Sequence, residues 1–173
     1  MRTLYLLRHG KAESDTPSGR DFDRALAPRG LRDSARMGAH LAECSDPPSW
    51  FLCSPARRSA QTLDRVRESL PLGSDGEFQQ KLYLASAEQI FECVCEVEDT
   101  VDSLLVIGHN PGLEQLAASL GRPPKRDPDA WVLSKFPTAA LAMLRFDVDR
   151  WFDLAPHCGE MAFTTPKQLA ATR

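Results

Sequence analysis

The sequence predicts an α/β protein, a three-layer α/β/α sandwich around a largely parallel central sheet. Three observations lead there. Short apolar runs such as Thr3–Leu7 and Leu104–Ile107 suit strands buried on both faces, because they lack the alternation of a half-exposed sheet. Segments of roughly 10–16 residues with apolar positions three or four apart follow them, as amphipathic helices require. Gly and Pro punctuate the junctions. At 173 residues the chain has the size of one domain, so residues 1–173 are expected to share one core.

Each element has its own reason. Thr3–Leu7 is the first strand. Pro28 suits the first position of a helix, with Leu31, Ala35, Gly38, Leu41 and Ala42 on one face. Pro47-Pro48 ends that unit, and Trp50–Cys53 forms the next strand. Ser54-Pro55 reads as cap and first residue of a second helix, striped by Ala60, Leu63, Val66 and Leu70. Residues 71–80 read as a polar loop. Ala87, Ile90, Phe91 and Val94 mark a third helix, and Leu104–Ile107 a strand. Asn110-Pro111 repeats the cap-and-proline start before a fourth helix with Leu113, Leu116, Ala117 and Leu120 inward. Gly121 and the prolines at 123 and 124 stop it. Ala139–Phe146 and Arg150–Leu154 read as a hairpin, followed by an extended tail.

Composition excludes several classes. With 42% hydrophobic and 26% charged residues the chain is neither a disordered tail nor a fibre. The run Leu4–Leu7 ends at Arg8, far short of the ~20 residues that cross a bilayer, and no secretory h-region precedes it. Five scattered cysteines, an odd number, predict reduced thiols and a cytoplasmic location. Cys93 and Cys95, two apart on a helix, do not face each other and read as packing residues. The net charge of −3 argues against nucleic acid as a partner. That average hides a division. Residues 1–67 hold 12 Lys/Arg and 8 Asp/Glu, hence +4, whereas the remainder holds 9 and 16, hence −7. A basic first third points either to a local anion site or to a solvated arginine-rich helix, and charge alone does not choose between them.

Ligands of open α/β sheets sit at the carboxyl ends of the strands. Three strands end in polar clusters here: Arg8-His9-Gly10, Ser54-Pro55-Ala56-Arg57-Arg58-Ser59-Ala60-Gln61-Thr62, and Gly108-His109-Asn110-Pro111-Gly112. Ser54 and Asn110 as caps would aim two helix N-termini at one rim. Gly10 would let backbone approach a ligand closely, and an arginine early in the second helix would fork onto phosphate oxygens. Arg57 and Arg58 diverge by ~100° on a helix, so one of them faces solvent. Two imidazoles in a dianion pocket suit phosphoryl transfer. The loop from Gly10 to Ala27 is long for a connection of this kind, as functional loops often are.

These three motifs, each after a strand and in this order, resemble those of the histidine phosphatase superfamily, with its phosphoglycerate mutase-like fold. The chain most resembles the short SixA-type phosphohistidine phosphatases. The resemblance extends to Arg24-Ala25-Leu26…Gly30, Leu82-Tyr83…Ala87 and Phe136-Pro137-Thr138-Ala139-Ala140. It implies that His9 receives the phosphoryl group, that Arg8, Arg58 and His109 hold its oxygens with Gly10 and Asn110 beside them, and that water then releases phosphate. Lys11 and Arg24 are candidates for the pocket mouth, with a surface salt bridge the alternative for Arg24. A protonated His109 would suit this role. Arginine and imidazolium would supply the positive charge, so no metal or other cofactor is expected.

Departures from the family pattern narrow the chemistry. The mutase branch carries a glutamate before the third helix, where this chain has Gln79-Gln80-Lys81 with only Glu77 and Glu88 nearby. The acid phosphatase branch carries an acid after the second histidine, where this chain has Asn110. An alcohol leaving group, with a pKa on the order of 15, needs a proton donor. Imidazole, whose conjugate acid has a pKa of ~6.5, leaves more easily. About 50 residues separate Arg58 from His109, too few for a large cap. Together these favour a phosphohistidine-bearing protein, such as a phosphorelay or phosphotransfer protein, as the partner. The alternatives are a small-molecule phosphomonoester phosphatase or mutase using Glu77 or Glu88, and a phosphate-binding module without catalysis.

Overall fold

The computed structural model describes residues 1–70, 75–122 and 135–171. The strands are β1 (Arg2–Arg8), β2 (Trp50–Cys53), β3 (Gly76–Phe78), β4 (Ser103–Gly108), β5 (Leu141–Phe146) and β6 (Glu160–Thr164). The helices are α1 (Pro28–Ala42), α2 (Arg57–Arg67), α3 (Ala87–Cys95), α4 (Gly112–Leu120) and α5 (Pro166–Ala171). The sheet runs β3-β2-β4-β1-β5-β6. Its first four strands are parallel, β5 runs against β1, and β6 runs against β5.

Alternation along the strands divides the core in two. Leu4, Leu6, Leu104 and Val106 face one layer with Ile90 of α3 and Leu113 and Leu116 of α4. Tyr5, Leu7, Leu105 and Ile107 face the other, with Met37 and Leu41 of α1 and Leu63 and Val66 of α2. Both faces of the central strands are thus buried, as continuous apolar runs require. Each fully buried Leu contributes roughly 1.5–3 kcal/mol.

Five expectations need correction. Arg150–Leu154 is not a strand: Trp151–Asp153 forms a short 3-10 turn. Trp151 is fully buried, its Nε1 donates to the Val101 carbonyl, and its backbone N–H donates to Asp99. Those bonds use the segment before it can join the sheet. The partner of β5 is Glu160–Thr164, in what was expected to be an extended tail. A box in which Thr165 and Gln168 each accept the other's backbone N–H then starts α5. The expected polar loop contains β3, which pairs with β2 but is signalled by a single, half-exposed Phe78. The buried face of α1 is Gly30, Asp33, Ser34, Met37, Gly38 and Leu41, while Ala42 is exposed. Small residues decide that face, because at Gly38 the Val66 backbone lies where a Cβ would stand. Finally, α2 and α4 begin later than Ser54-Pro55 and Asn110-Pro111 suggest, with Ala56 and Pro111 at the N-caps and no side-chain cap in either helix. Gly121 does end α4, in extended rather than left-handed backbone. Pro123, Pro124 and Trp131 lie outside the described residues.

Candidate active site

The sheet order places β2, β4 and β1 side by side, so their carboxyl ends share one rim. Arg8 and His9 leave β1 there, His109 follows β4, and Ser54 and Arg58 follow β2. His9, His109, Ser54 and Arg58 are buried. The two imidazole rings lie 5.1 Å apart between centroids, inclined at 56°.

Arg58 joins them. Its Nε donates to His9 Nε2 at 3.2 Å and one terminal nitrogen donates to His109 Nδ1 at 3.2 Å. A guanidinium only donates, so both ring nitrogens must accept. The remaining bonds agree. His9 Nδ1–H donates to the Gly10 carbonyl at 2.8 Å, and His109 Nε2–H donates to Ser54 Oγ at 2.7 Å. Each imidazole is therefore held neutral in one tautomer. Burial is the main cause of the low His9 pKa, about 4, and the Arg58 and Arg8 charges lower it further. Burial likewise brings His109 to about 3, helped by His9 and Arg58. His109, expected to be protonated, is thus neutral in the free protein, where the opposing charge of Asp21 does not outweigh burial and the neighbouring cations.

Ser54 does not cap α2, because its hydroxyl serves His109. Asn110 does not cap α4; its Nδ2 donates to Glu114 at 2.8 Å and to the Phe136 carbonyl at 3.2 Å. The Phe136 carbonyl also accepts from Arg8 at 2.6 Å. Among the described residues, Arg8 Nε and Asn110 Oδ1 are buried without hydrogen-bond partners. Gly10 donates its N–H to Thr62 Oγ1 at 3.0 Å. The space a Cβ would need there is filled by Ser34 and Gly30, so this glycine admits α1. Ala139 holds the opposite side: its backbone φ is 58°, and its N–H reaches the carbonyls of Arg8 and His9 at 3.1 Å each. A left-handed alanine of this kind costs roughly 1–2 kcal/mol, which the paired bonds offset.

The residues expected at the mouth separate. Lys11 is exposed and has no hydrogen bond or ion pair to either histidine. Arg24 reaches the site through Asp21, at 2.8 Å. Arg57 is exposed, as expected of the solvated member of its pair. Neither Glu77 nor Glu88 makes a hydrogen bond or ion pair with the histidines, Arg8 or Arg58. Glu77, in β3, accepts from Gln79 just beyond the strand, and Glu88 is exposed on α3.

Sequence reasoning missed four residues of this region. Asp21 accepts from Arg58 at 2.9 Å, Tyr83 at 2.8 Å and Arg24. Partial burial would raise its pKa, but those three donors bring it down to about 2. Tyr83 stands edge-on to His109 at 5.5 Å and to Phe22 at 5.0 Å, forming an aromatic wall. Glu114 is the carboxylate whose charge acts on Arg8. The Arg-rich stretch around Arg24 and the Leu82-Tyr83 pair were signals, but neither names a partner.

Comparisons with known proteins agree with this geometry. Residues 4–81 match the profile of the histidine phosphatase superfamily (branch 1). An uncharacterized protein of Mycobacterium tuberculosis is 34% identical over 93% of this chain and its own full length. The Escherichia coli phosphohistidine phosphatase SixA is 30% identical over 68% of this chain and 73% of its own. A solved structure of a candidate SixA from Nakamurella multipartitia superposes with a TM-score of 0.82 at 29% identity, covering 95% of this chain and 96% of the other. With the strand-end histidines and their arginine in place, these likenesses show that the chain belongs to the histidine phosphatase superfamily.

Proposed function

We propose that this phosphatase hydrolyses phosphohistidine on a protein, through a phosphorylated His9 and without a metal. The observation that carries the reading is the state of His9. Its Nδ1–H is tied to Gly10, so the lone pair lies on Nε2, and the ring is neutral far below pH 7. A neutral imidazole nitrogen is a nucleophile without further activation.

In the first step Nε2 of His9 bonds to phosphorus as the P–N bond to the substrate imidazole breaks. In the second, a water oxygen bonds to phosphorus and the P–Nε2 bond breaks, releasing inorganic phosphate. Arg8, Arg58 and His109 hold the equatorial oxygens, with the backbone near Gly10 and the Asn110 side chain completing the pocket. Arg58 must exchange part of its bonding to Asp21 and the imidazoles for phosphate. A bound dianion also raises the pKa of His109, so that ring takes a proton as the substrate arrives.

The leaving group follows from the carboxylates. Asp21 is ionised at neutral pH and has no proton to give. A departing imidazole takes its proton from water near neutrality, whereas an alkoxide does not. The name of the SixA relative points the same way.

The test compares free phosphohistidine, a histidine-phosphorylated protein and an alkyl phosphate as substrates of the wild-type protein and of His9→Ala. Preference for the P–N substrates is expected. His9→Ala is expected to lose both turnover and acid-labile ³²P labelling. Full activity of that variant, or a preference for the alkyl ester, refutes the proposal.

A further inference from the structure

Beside the phosphate pocket lies a second, basic cleft of about 340 Å3, lined by Arg29, Lys135, Pro137, Thr138, Thr165 and Lys167 among others. Three elements build it: the first turn of α1, the segment leading into β5, and the start of α5. Its placement is tight. Lys135 and Pro137 flank Phe136, whose carbonyl holds Arg8 and Asn110. Arg29 precedes Gly30, which packs against the backbone of Lys11, two residues after His9.

The cations of the cleft are available. Lys135 and Lys167 are exposed and form no ion pair among the described residues. Arg29 is exposed too, and among the described residues only its Nε is engaged, by Asp33 at 3.2 Å. On a chain of net charge −3, this concentration of positive charge departs from the average surface. Among the described residues no aromatic side chain lines the cleft. Its exposed lysines also differ from buried Arg58. A single small dianion is best held by a desolvated, bidentate guanidinium, whereas flexible surface ammonium groups suit carboxylates spread along a protein surface.

We propose that this cleft docks an acidic segment of the phosphorylated protein, beside the phosphohistidine held by the pocket. The proposal rests on the phosphohistidine-protein reading above. It implies that the enzyme selects among phosphoproteins by the acidity of the surface around the modified histidine.

The experiment uses the full chain and two short fluorescent peptides. In one a histidine is flanked by aspartates, in the other by asparagines. Binding of the unphosphorylated peptides requires no turnover. The aspartate peptide should bind about tenfold more tightly at low salt, with the difference fading as salt rises. Lys135→Glu combined with Lys167→Glu should abolish the difference. After phosphorylation of both peptides, the double variant should raise KM for the aspartate peptide alone, with kcat and turnover of free phosphohistidine unchanged.

Equal binding of the two peptides, or a preference that survives in the double variant, overturns the proposal. So does a parallel loss of free phosphohistidine turnover, which would assign the lysines to the phosphate pocket. Citrate binding as tightly as the aspartate peptide would make the cleft a small-anion site and also overturn it. Failure of the wild type on every phosphohistidine substrate, with salt-sensitive peptide binding intact, removes the reaction and leaves the docking site standing.

Discussion

Arg58 bonds to both imidazoles and to Asp21, so an incoming phosphate competes with three existing partners. The Asp21 carboxylate occupies a terminal nitrogen that a phosphate oxygen would use. Asp21→Asn removes a negative charge from the edge of a dianion site and should lower the Ki of inorganic phosphate about fivefold. Inhibition kinetics measure this, and an unchanged or weaker Ki contradicts it. Ser54 acts through His109. Ser54→Ala leaves a buried imidazole N–H unpaired, a cost of about 1–3 kcal/mol, so kcat/KM should fall on the order of tenfold or more. Ser54→Thr keeps the hydroxyl and should restore most of it.

Among the elements, α1 and the loop before it set how closely the pocket is drawn together. A Cβ on Gly30 would stand 2.1 Å from the Lys11 carbonyl oxygen and 2.8 Å from the Lys11 nitrogen. Backbone cannot yield as a side-chain tip does. Gly30→Ala should therefore push residues 10 and 11 off the helix, costing about 2 kcal/mol of stability. Denaturant unfolding would show that loss, and turnover should fall with it because His9 Nδ1 depends on the Gly10 carbonyl. The two ends of the same loop are joined by Ala27 N–H donating to the Lys11 carbonyl at 2.8 Å, and Leu26 N–H anchors it to the Gln61 side chain of α2 at 2.7 Å. Between them the loop carries Asp21 and Phe22 to the mouth of the pocket.

For the whole molecule, two buried neutral histidines make stability depend on pH. In the unfolded chain each histidine binds a proton near pH 6.5. In the folded protein they do so only near pH 4 and pH 3. Between about pH 6.5 and 4 the unfolded state binds more protons, so stability is full above this window and falls as pH drops through it. Asp21 adds a loss at still lower pH, as its carboxylate protonates near pH 2. Thermal unfolding across the window should show the decline, and His109→Gln should flatten it. An equal slope in that variant would mean that other groups dominate. Arg2 is another buried charge, paired through Val101, Asp99, Asp102 and Asp149 at the opposite end of β1.

Much of this protein was legible before its coordinates. The apolar runs required strands buried on both sides, and strand order in the chain put Arg8, His9, Arg58 and His109 at strand ends, where a parallel sheet gathers them. Local signals were less reliable where one side chain had a better distant partner. Ser54 and Asn110 look like caps, but His109 and the Phe136 carbonyl claim them, and Trp151 leaves the sheet to bury its indole. Asp21, Phe22 and Tyr83 belong to the region through contacts spanning up to 62 positions, and Glu114 through its charge on Arg8, which no local pattern encodes. The protonation of the two imidazoles was decided the same way. The sequence by itself determined the layered fold and the kinds of residue that meet phosphate. Only the tertiary structure decided their partners and charge states, because hydrogen bonding and desolvation depend on what the folded chain brings within a few ångströms.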